Sequence, residues 1–348
     1  MKLKKNFIFF IFFLNIFFIK ILSSKQIQKT IFSKTYSNFI SLSDFGYKNS
    51  YVWQKNDSMY FDELILSWNA LRPCQGNLSF YVSVKHNYWS EWHKIAEWGS
   101  NFQQTFVNSK NPLFHTKHVK VEMQHGKKAS GFRIKVVAQN GANVKNLKSL
   151  FACVCNTGKL NRIDGTTIDL PTIRPIRVPK HSQMVLDHPR FKDFCSPTSI
   201  SLIVNYYLKN KYNLDNYIVN FAKKVHDDSY LNIYGNWPLN VAQAYDACQE
   251  KCFFKVERLN SFYDLYNYLN KGIPVAVSIR GYIHGRVYKN GHFIVVVGWD
   301  NNRKAILCID PSYSSNNETT RAYSIKSFLR AWGNSTSPHL SYVPIPRI

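Results

Sequence analysis

At 348 residues the chain has room for two domains, each able to bury its own core. Hydrophobic residues make up 45% of it and the charges are scattered, which excludes an intrinsically disordered chain. A net charge of +24 suits an acidic polymer, a membrane surface or nucleic acid, but the lysines are dispersed among Asn, Ile, Phe and Tyr with no basic block. The charge is therefore read as compositional bias, and no nucleic-acid partner is expected.

Residues 1–24 read as a signal peptide. Lys2, Lys4 and Lys5 precede a run of Phe, Ile and Leu from Phe7 to Ile19, which is short for a membrane span and is interrupted by Lys20. Cleavage near Ser23-Ser24 would release an exported protein, periplasmic or extracellular. Retention as an N-terminal membrane anchor is the alternative.

Residues 30–155 read as an all-β accessory domain. Leu64–Trp68, Leu78–Val84, Trp92–Trp98 and Phe132–Ala138 are rich in β-branched and aromatic residues, with Gly, Asn, Ser and Pro between them. The expected form is a sandwich of jelly-roll type. Trp53, Trp68, Trp89, Trp92 and Trp98 fall here; buried they fill its core, exposed they could stack on a glycan. A linker is expected over 156–178, where Pro171 and Pro175, with Pro179 just beyond, favour an extended chain.

The rest, 179–348, alternates helices early and strands late, an α+β layout. Ile200, Ile203, Val204, Tyr207 and Leu208 share one face of a helix that Ser196 could cap, with Pro197 at the first helical position. Cys195 stands at its mouth, where unpaired N–H groups and the positive dipole end favour a thiolate. A second helix carries Leu214, Tyr217, Ile218, Phe221 and Val225. A third follows Asn236 with Val241, Ala244, Tyr245 and Cys248, and Phe262–Leu269 forms a fourth closed by Gly272. Strands are expected at Phe253–Arg258, Pro274–Ile279, His292–Val297 and Lys304–Ile309.

Two further residues join Cys195. His292 opens one expected strand and Asp310 closes the next, and the turn Trp299–Arg303 makes the two a hairpin that brings His292 and Asp310 together. Singly, each has a bland reading: a small apolar Cys, a structural His, a turn Asp before Pro311. Together they compose a nucleophile, a base and an orienting carboxylate. The other cysteines are Cys74, Cys153, Cys155, Cys248, Cys252 and Cys308. An odd count leaves one unpaired, and Cys248 and Cys252 are expected on one helix face. Neither their spacing nor any other suggests a zinc site, so no metal or cofactor is expected.

Ser182-Gln183-Met184, Phe194-Cys195-Ser196-Pro197-Thr198-Ser199, Asn236-Trp237-Pro238, Gly291-His292 and Asp310-Pro311 resemble the papain-like cysteine peptidases, in particular relatives of the bacteriocin-processing (double-glycine) peptidases. Phe61–Ala70 and the Trp89–Trp92 hairpin are similar to the β domain of a secreted branch. The resemblance implies Cys195 as nucleophile, His292 as base and acid, and Asp310 as orienting group. It also implies Gln183 as an oxyanion donor worth about 3–4 kcal/mol. Gln183 precedes Cys195 by twelve residues, further than in most of that family, so the intervening loop must fold back. No phosphate-binding Gly-Lys-Ser/Thr loop occurs, so export coupled to an ATPase is not expected. The expected function is a secreted peptidase acting on peptide or isopeptide bonds, with a peptide or protein partner that could be associated with the cell wall. The alternatives are a cell-wall amidase or acyltransferase with the same triad, and a non-catalytic glycan-binding protein.

Overall fold

A computed structural model of the chain describes residues 31–45, 49–160, 168–209, 213–248, 250–335 and 337–347. The stretch 1–24 lies outside these residues, as does part of the expected linker, 161–167. The described chain is mostly β-sheet with few helices. The alternating segments of the first half form β1 (Ser33–Phe39), β2 (Ser50–Lys55), β3 (Glu63–Ala70), β4 (Asn77–Lys85), β5 (His93–Gly99), β6 (Gln103–Thr105), β7 (Phe114–Lys117), β8 (Lys120–Met123), β9 (Gly131–Gln139) and β10 (Leu147–Cys155). They pair antiparallel in two five-stranded sheets, ordered β1-β10-β3-β8-β7 and β2-β9-β4-β5-β6.

The period of two puts Leu64, Leu66 and Trp68 of β3 and Leu78, Phe80 and Val82 of β4 into one core between the sheets. Trp68 stacks on Phe80 with ring centroids 4.1 Å apart, and truncating either to Ala would cost about 3–5 kcal/mol. Trp68 and Trp98 are fully buried, whereas Trp53, Trp89 and Trp92 are half-buried.

The second half forms α1 (Cys195–Leu208), α2 (Leu214–Val225), α3 (Trp237–Ala247), β11 (Cys252–Arg258), α4 (Phe262–Asn270), β12 (Val275–Ile283), β13 (Arg286–Asp300), β14 (Ala305–Ile309), β15 (Thr320–Ser324), α5 (Ile325–Gly333) and β16 (Leu340–Pro346). Its six strands make one antiparallel sheet, β11-β16-β12-β13-β14-β15. Helices cover both faces, which is why β13 reads as an unbroken apolar run. Phe293, Val295 and Val297 pack into the core shared with α1 and α3, while Ile294 and Val296 pack with α4 and α5.

Several local readings change. Helix α1 begins at Cys195 itself with Phe194 at its N-cap, and Ser196 instead turns its hydroxyl to the Tyr342 phenol 2.9 Å away. Pro197 is therefore the third helical residue and not the first, but its missing N–H there still has no intrahelical acceptor to lose. Strand β13 starts at Arg286, so His292 lies within a strand and not at its opening. Cys248 closes α3 and Cys252 opens β11, so they share no helix face. All seven cysteines are free thiols, with Cys74 exposed and Cys195 half-buried.

The Pro-rich segment is bound to the sheet along its described part. Strand β12 starts at Val275, opposite Val296, so the last residues of β13 have no β12 partner. Ile173 exchanges backbone hydrogen bonds with Trp299 at 2.8 and 3.1 Å, and the Ile176 N–H reaches the Val297 carbonyl at 2.8 Å. Gly298 permits this approach, because a Cβ there would stand 2.8 Å from the Ile173 carbonyl oxygen.

The two halves meet at β11, an edge strand of the six-stranded sheet. Its outward backbone N–H groups at Phe254, Val256 and Arg258 point to Asn69 Oδ1 (2.8 Å), Ser67 Oγ (3.1 Å) and Cys153 Sγ (3.4 Å). Side chains of β3 and β10 thus take the place of a neighbouring strand. Ile31–Ile348 clusters as one compact unit.

Candidate active site

Cys195 is the first residue of α1, and among the described residues no backbone carbonyl accepts its N–H. The first intrahelical bond runs from Thr198 N–H to the Phe194 carbonyl at 2.8 Å. A free N–H beside a thiol at a helix start is a ready donor for developing negative charge.

His292 sits on β13, paired with Ile279 of β12 and only 4% exposed. Its Nε2 stands 2.7 Å from Asp310 Oδ1. That leaves Nδ1 as the ring nitrogen open to Cys195, whose thiol lies close enough to favour the protonated imidazole. Burial alone would strip the proton from His292. The charge and hydrogen bond of Asp310, then those of Cys195, overcome it and push the imidazole up to about 10.

Asp310 follows β14 directly and is fully buried. Its Oδ1 accepts from His292, from the Ser312 N–H (2.9 Å) and from the Ser312 hydroxyl (2.7 Å). Its Oδ2 accepts from the phenols of Tyr288 (2.9 Å) and Tyr323 (2.6 Å). Burial opposes its ionisation, but the His292 charge and hydrogen bond, with the Tyr323 and Ser312 donors, hold it well below the usual carboxylate range. Burial and then the Asp310 charge push both phenols far above their ordinary range, so both remain donors.

Gln183 lies in a short 3-10 turn and is buried. The loop after it does fold back: Gln183 Nε2 donates to the carbonyls of Phe191 (3.0 Å) and Lys192 (2.8 Å), just before Cys195. Both Nε2 hydrogens are therefore engaged in holding that loop, and Oε1 is buried without a hydrogen-bond partner. The same turn is tied to the Asp310 loop, since the Gln183 N–H donates to the Pro311 carbonyl at 2.8 Å and the Ser182 hydroxyl to the Tyr313 carbonyl.

Tyr288, Ser312 and Tyr323 were not singled out from the sequence. A Ser two residues after an Asp is a local turn pattern that could have marked Ser312. The two tyrosines reach Asp310 through strand pairing and carry no local signal. Among the described residues no cluster of His, Cys, Asp and Glu could hold a metal ion. None of the described helices is long and apolar enough to cross a membrane.

Residues 175–339 match the model of the Peptidase_C39 like family. This segment is a relative of the C39-like papain-like cysteine peptidases. The C39-like segment contains Gln183, Cys195, His292 and Asp310 and leaves both five-stranded sheets outside it. A crystal structure from Bacillus anthracis, provisionally described as a C39-like peptidase, is similar at 16% identity over 51% of this chain and 99% of that chain, with a TM-score of 0.37. No curated protein matches the chain.

Proposed function

We propose that the protein hydrolyses peptide or isopeptide bonds with Cys195 as nucleophile, His292 as base and acid, and Asp310 as orienting group. The observation that carries this reading is His292 held on buried Asp310 at 2.7 Å, with Cys195 at the start of α1 close enough to favour the imidazolium. The Cys195 proton passes to His292, the sulfur attacks the carbonyl carbon, and the oxyanion meets the Cys195 N–H. His292 then gives its proton to the leaving amine, and water, deprotonated by the same ring, releases the acyl group. Asp310 keeps the imidazole in one tautomer and stabilises its charge without taking the proton. Gln183 would join as second oxyanion donor only by releasing one of its two carbonyls.

The proposal extends to organisation. The strand orders of the two five-stranded sheets support a jelly-roll sandwich over 30–155, joined by 156–178 to a papain-like α+β domain over 179–348. We take 1–24 as the export signal. The test is digestion of a diverse peptide library, with products read by mass spectrometry. Wild-type protein should cleave a subset of peptides and Cys195→Ala none; equal product patterns from both would overturn the reading.

A further inference from the structure

We propose that Tyr288 is a positioning residue that holds the His292 ring in its plane and shuts water out of the His292–Asp310 hydrogen bond. This rests on the peptidase reading but adds a residue and a device to it.

The device is a local break in strand pairing. Gly281 pairs with Tyr288 and Ile279 with His292, so Arg280 alone stands opposite Lys289, Asn290 and Gly291. In a regular strand, residues four apart would lie roughly 13 Å from each other, too far for ring contact. Here the two surplus residues loop out. Gly291 takes φ +89°, which only glycine adopts freely, and Arg280 Nε donates to the Lys289 carbonyl at 2.8 Å to stitch the bulge. The strand is shortened, and the Tyr288 ring comes to lie flat on the His292 ring, with centroids 4.2 Å and planes 10° apart. Bulges beside active sites re-aim side chains in this way.

The same side chain reaches the other partner. While His292 Nε2 bonds Asp310 Oδ1, the Tyr288 hydroxyl stands 2.9 Å from Asp310 Oδ2 and 2.8 Å from Ser312 Oγ. One residue therefore covers a face of the base and grips the carboxylate that orients it. The groups facing His292 are Asp310, Cys195 and Tyr288. Tyr323 stands behind Asp310, and Arg286 donates to the Ser312 carbonyl at 3.2 Å. Asp310 is fully buried, and Tyr288, itself half-buried, covers one face of the His292 ring on the solvent side of that pair.

Alkylation of Cys195 by iodoacetamide, measured across pH with peptide mapping, tests this without knowledge of the substrate. The Cys195 rate should change in a step where His292 loses its proton. Opening the ring face to water scales down both the burial and the Asp310 attraction. Their present sum favours the imidazolium, so Tyr288→Leu should move the step to lower pH by about one unit. Tyr288→Phe keeps the ring and should leave the step near that of wild type. A step unmoved in Tyr288→Leu, or moved equally in Tyr288→Phe, overturns the assignment. Should Tyr288→Leu not fold, wild-type proton NMR decides: stacking requires the carbon-bound His292 ring protons to be shifted upfield, and their appearance at ordinary positions overturns the assignment. If Cys195 of the wild type shows no preferential alkylation, the peptidase reading itself fails; if it does and Tyr288 is indifferent, only this inference fails.

Discussion

Arg258 of β11 donates through Nη2 to Glu63 Oε2 of β3 at 2.7 Å, with the arginine 1% exposed. A second hydrogen bond from its Nη1 reaches the Pro338 carbonyl at 2.8 Å, and Lys120 Nζ lies 3.3 Å from the same glutamate. Two strands from the two halves of the chain thus share one buried ion pair. Removing one partner strands the other charge away from water, so Glu63→Gln should cost about 3–5 kcal/mol, read as a loss in the urea midpoint. Replacing both with apolar residues of similar volume should cost clearly less than that single change. A single variant as stable as wild type would mean that the pair does not hold the seam.

Stability should also depend on pH through the site itself. His292 is raised from 6.5 to about 10, so its contribution is complete below about pH 6.5 and is lost as pH climbs toward 10. Asp310 is depressed from 3.8, so its contribution is present above about pH 4 and is lost on further acidification. The difference in Tm between wild type and Asp310→Asn should therefore be widest between about pH 4 and 6.5 and narrow toward pH 10. A flat difference across that span would sink the assignment of these shifts.

In turnover, Cys195→Ala and His292→Ala should each fall to background, and the double variant should be no worse, because neither acts without the other. Asp310→Asn should keep weak activity, reduced on the order of 10²–10⁴-fold, since it orients the base but forms no bond to the substrate. Steady-state assays on any peptide cleaved by the wild type would check both.

Gln183 separates two roles. As a loop clasp it donates to the part-buried carbonyls of Phe191 and Lys192, and Gln183→Ala should lower stability by about 0.5–1.5 kcal/mol for each hydrogen bond lost. As an oxyanion donor alone it would cost about 10²–10³-fold in turnover with Tm unchanged. The hydrogen bonds seen here predict the Tm loss. Calorimetry beside an activity assay distinguishes the outcomes.

For the first 24 residues the expectation is cleavage near Ser24–Lys25. N-terminal sequencing of the native protein should begin there, and a soluble cytoplasmic form retaining Met1 would contradict it.

Cys195, His292 and Asp310 were legible because each sits where a local pattern breaks: a helix start, a glycine before an unbroken apolar run, a strand end before proline. Helix α2 was legible from periodicity, and β3, β4 and β9 from β-branched and aromatic runs between turn residues. What stayed hidden was set by pairing between distant segments. The bulge at Lys289–Gly291 is visible only against β12, so Tyr288 looked like one more strand tyrosine. Tyr323 reaches Asp310 because β15 lies beside β14. The prolines at 171, 175 and 179 suggested a tether, yet Ile173 and Ile176 between them supply the N–H groups that bind β13. Cys74, exposed on the surface, adds a second accessible thiol that cysteine counting did not single out.

The capped edge of β11 bears on how this chain could have arisen and how it could be dismantled. Three of its outward N–H groups meet side chains of Asn69, Ser67 and Cys153, all outside the C39-like segment. A copy of that segment moved alone into another protein would carry an open strand edge, which invites pairing with the next molecule. Separating the segment from its β half would leave those three N–H groups without their present acceptors. A protease that nicked the chain between them would leave a two-piece protein still joined along that edge.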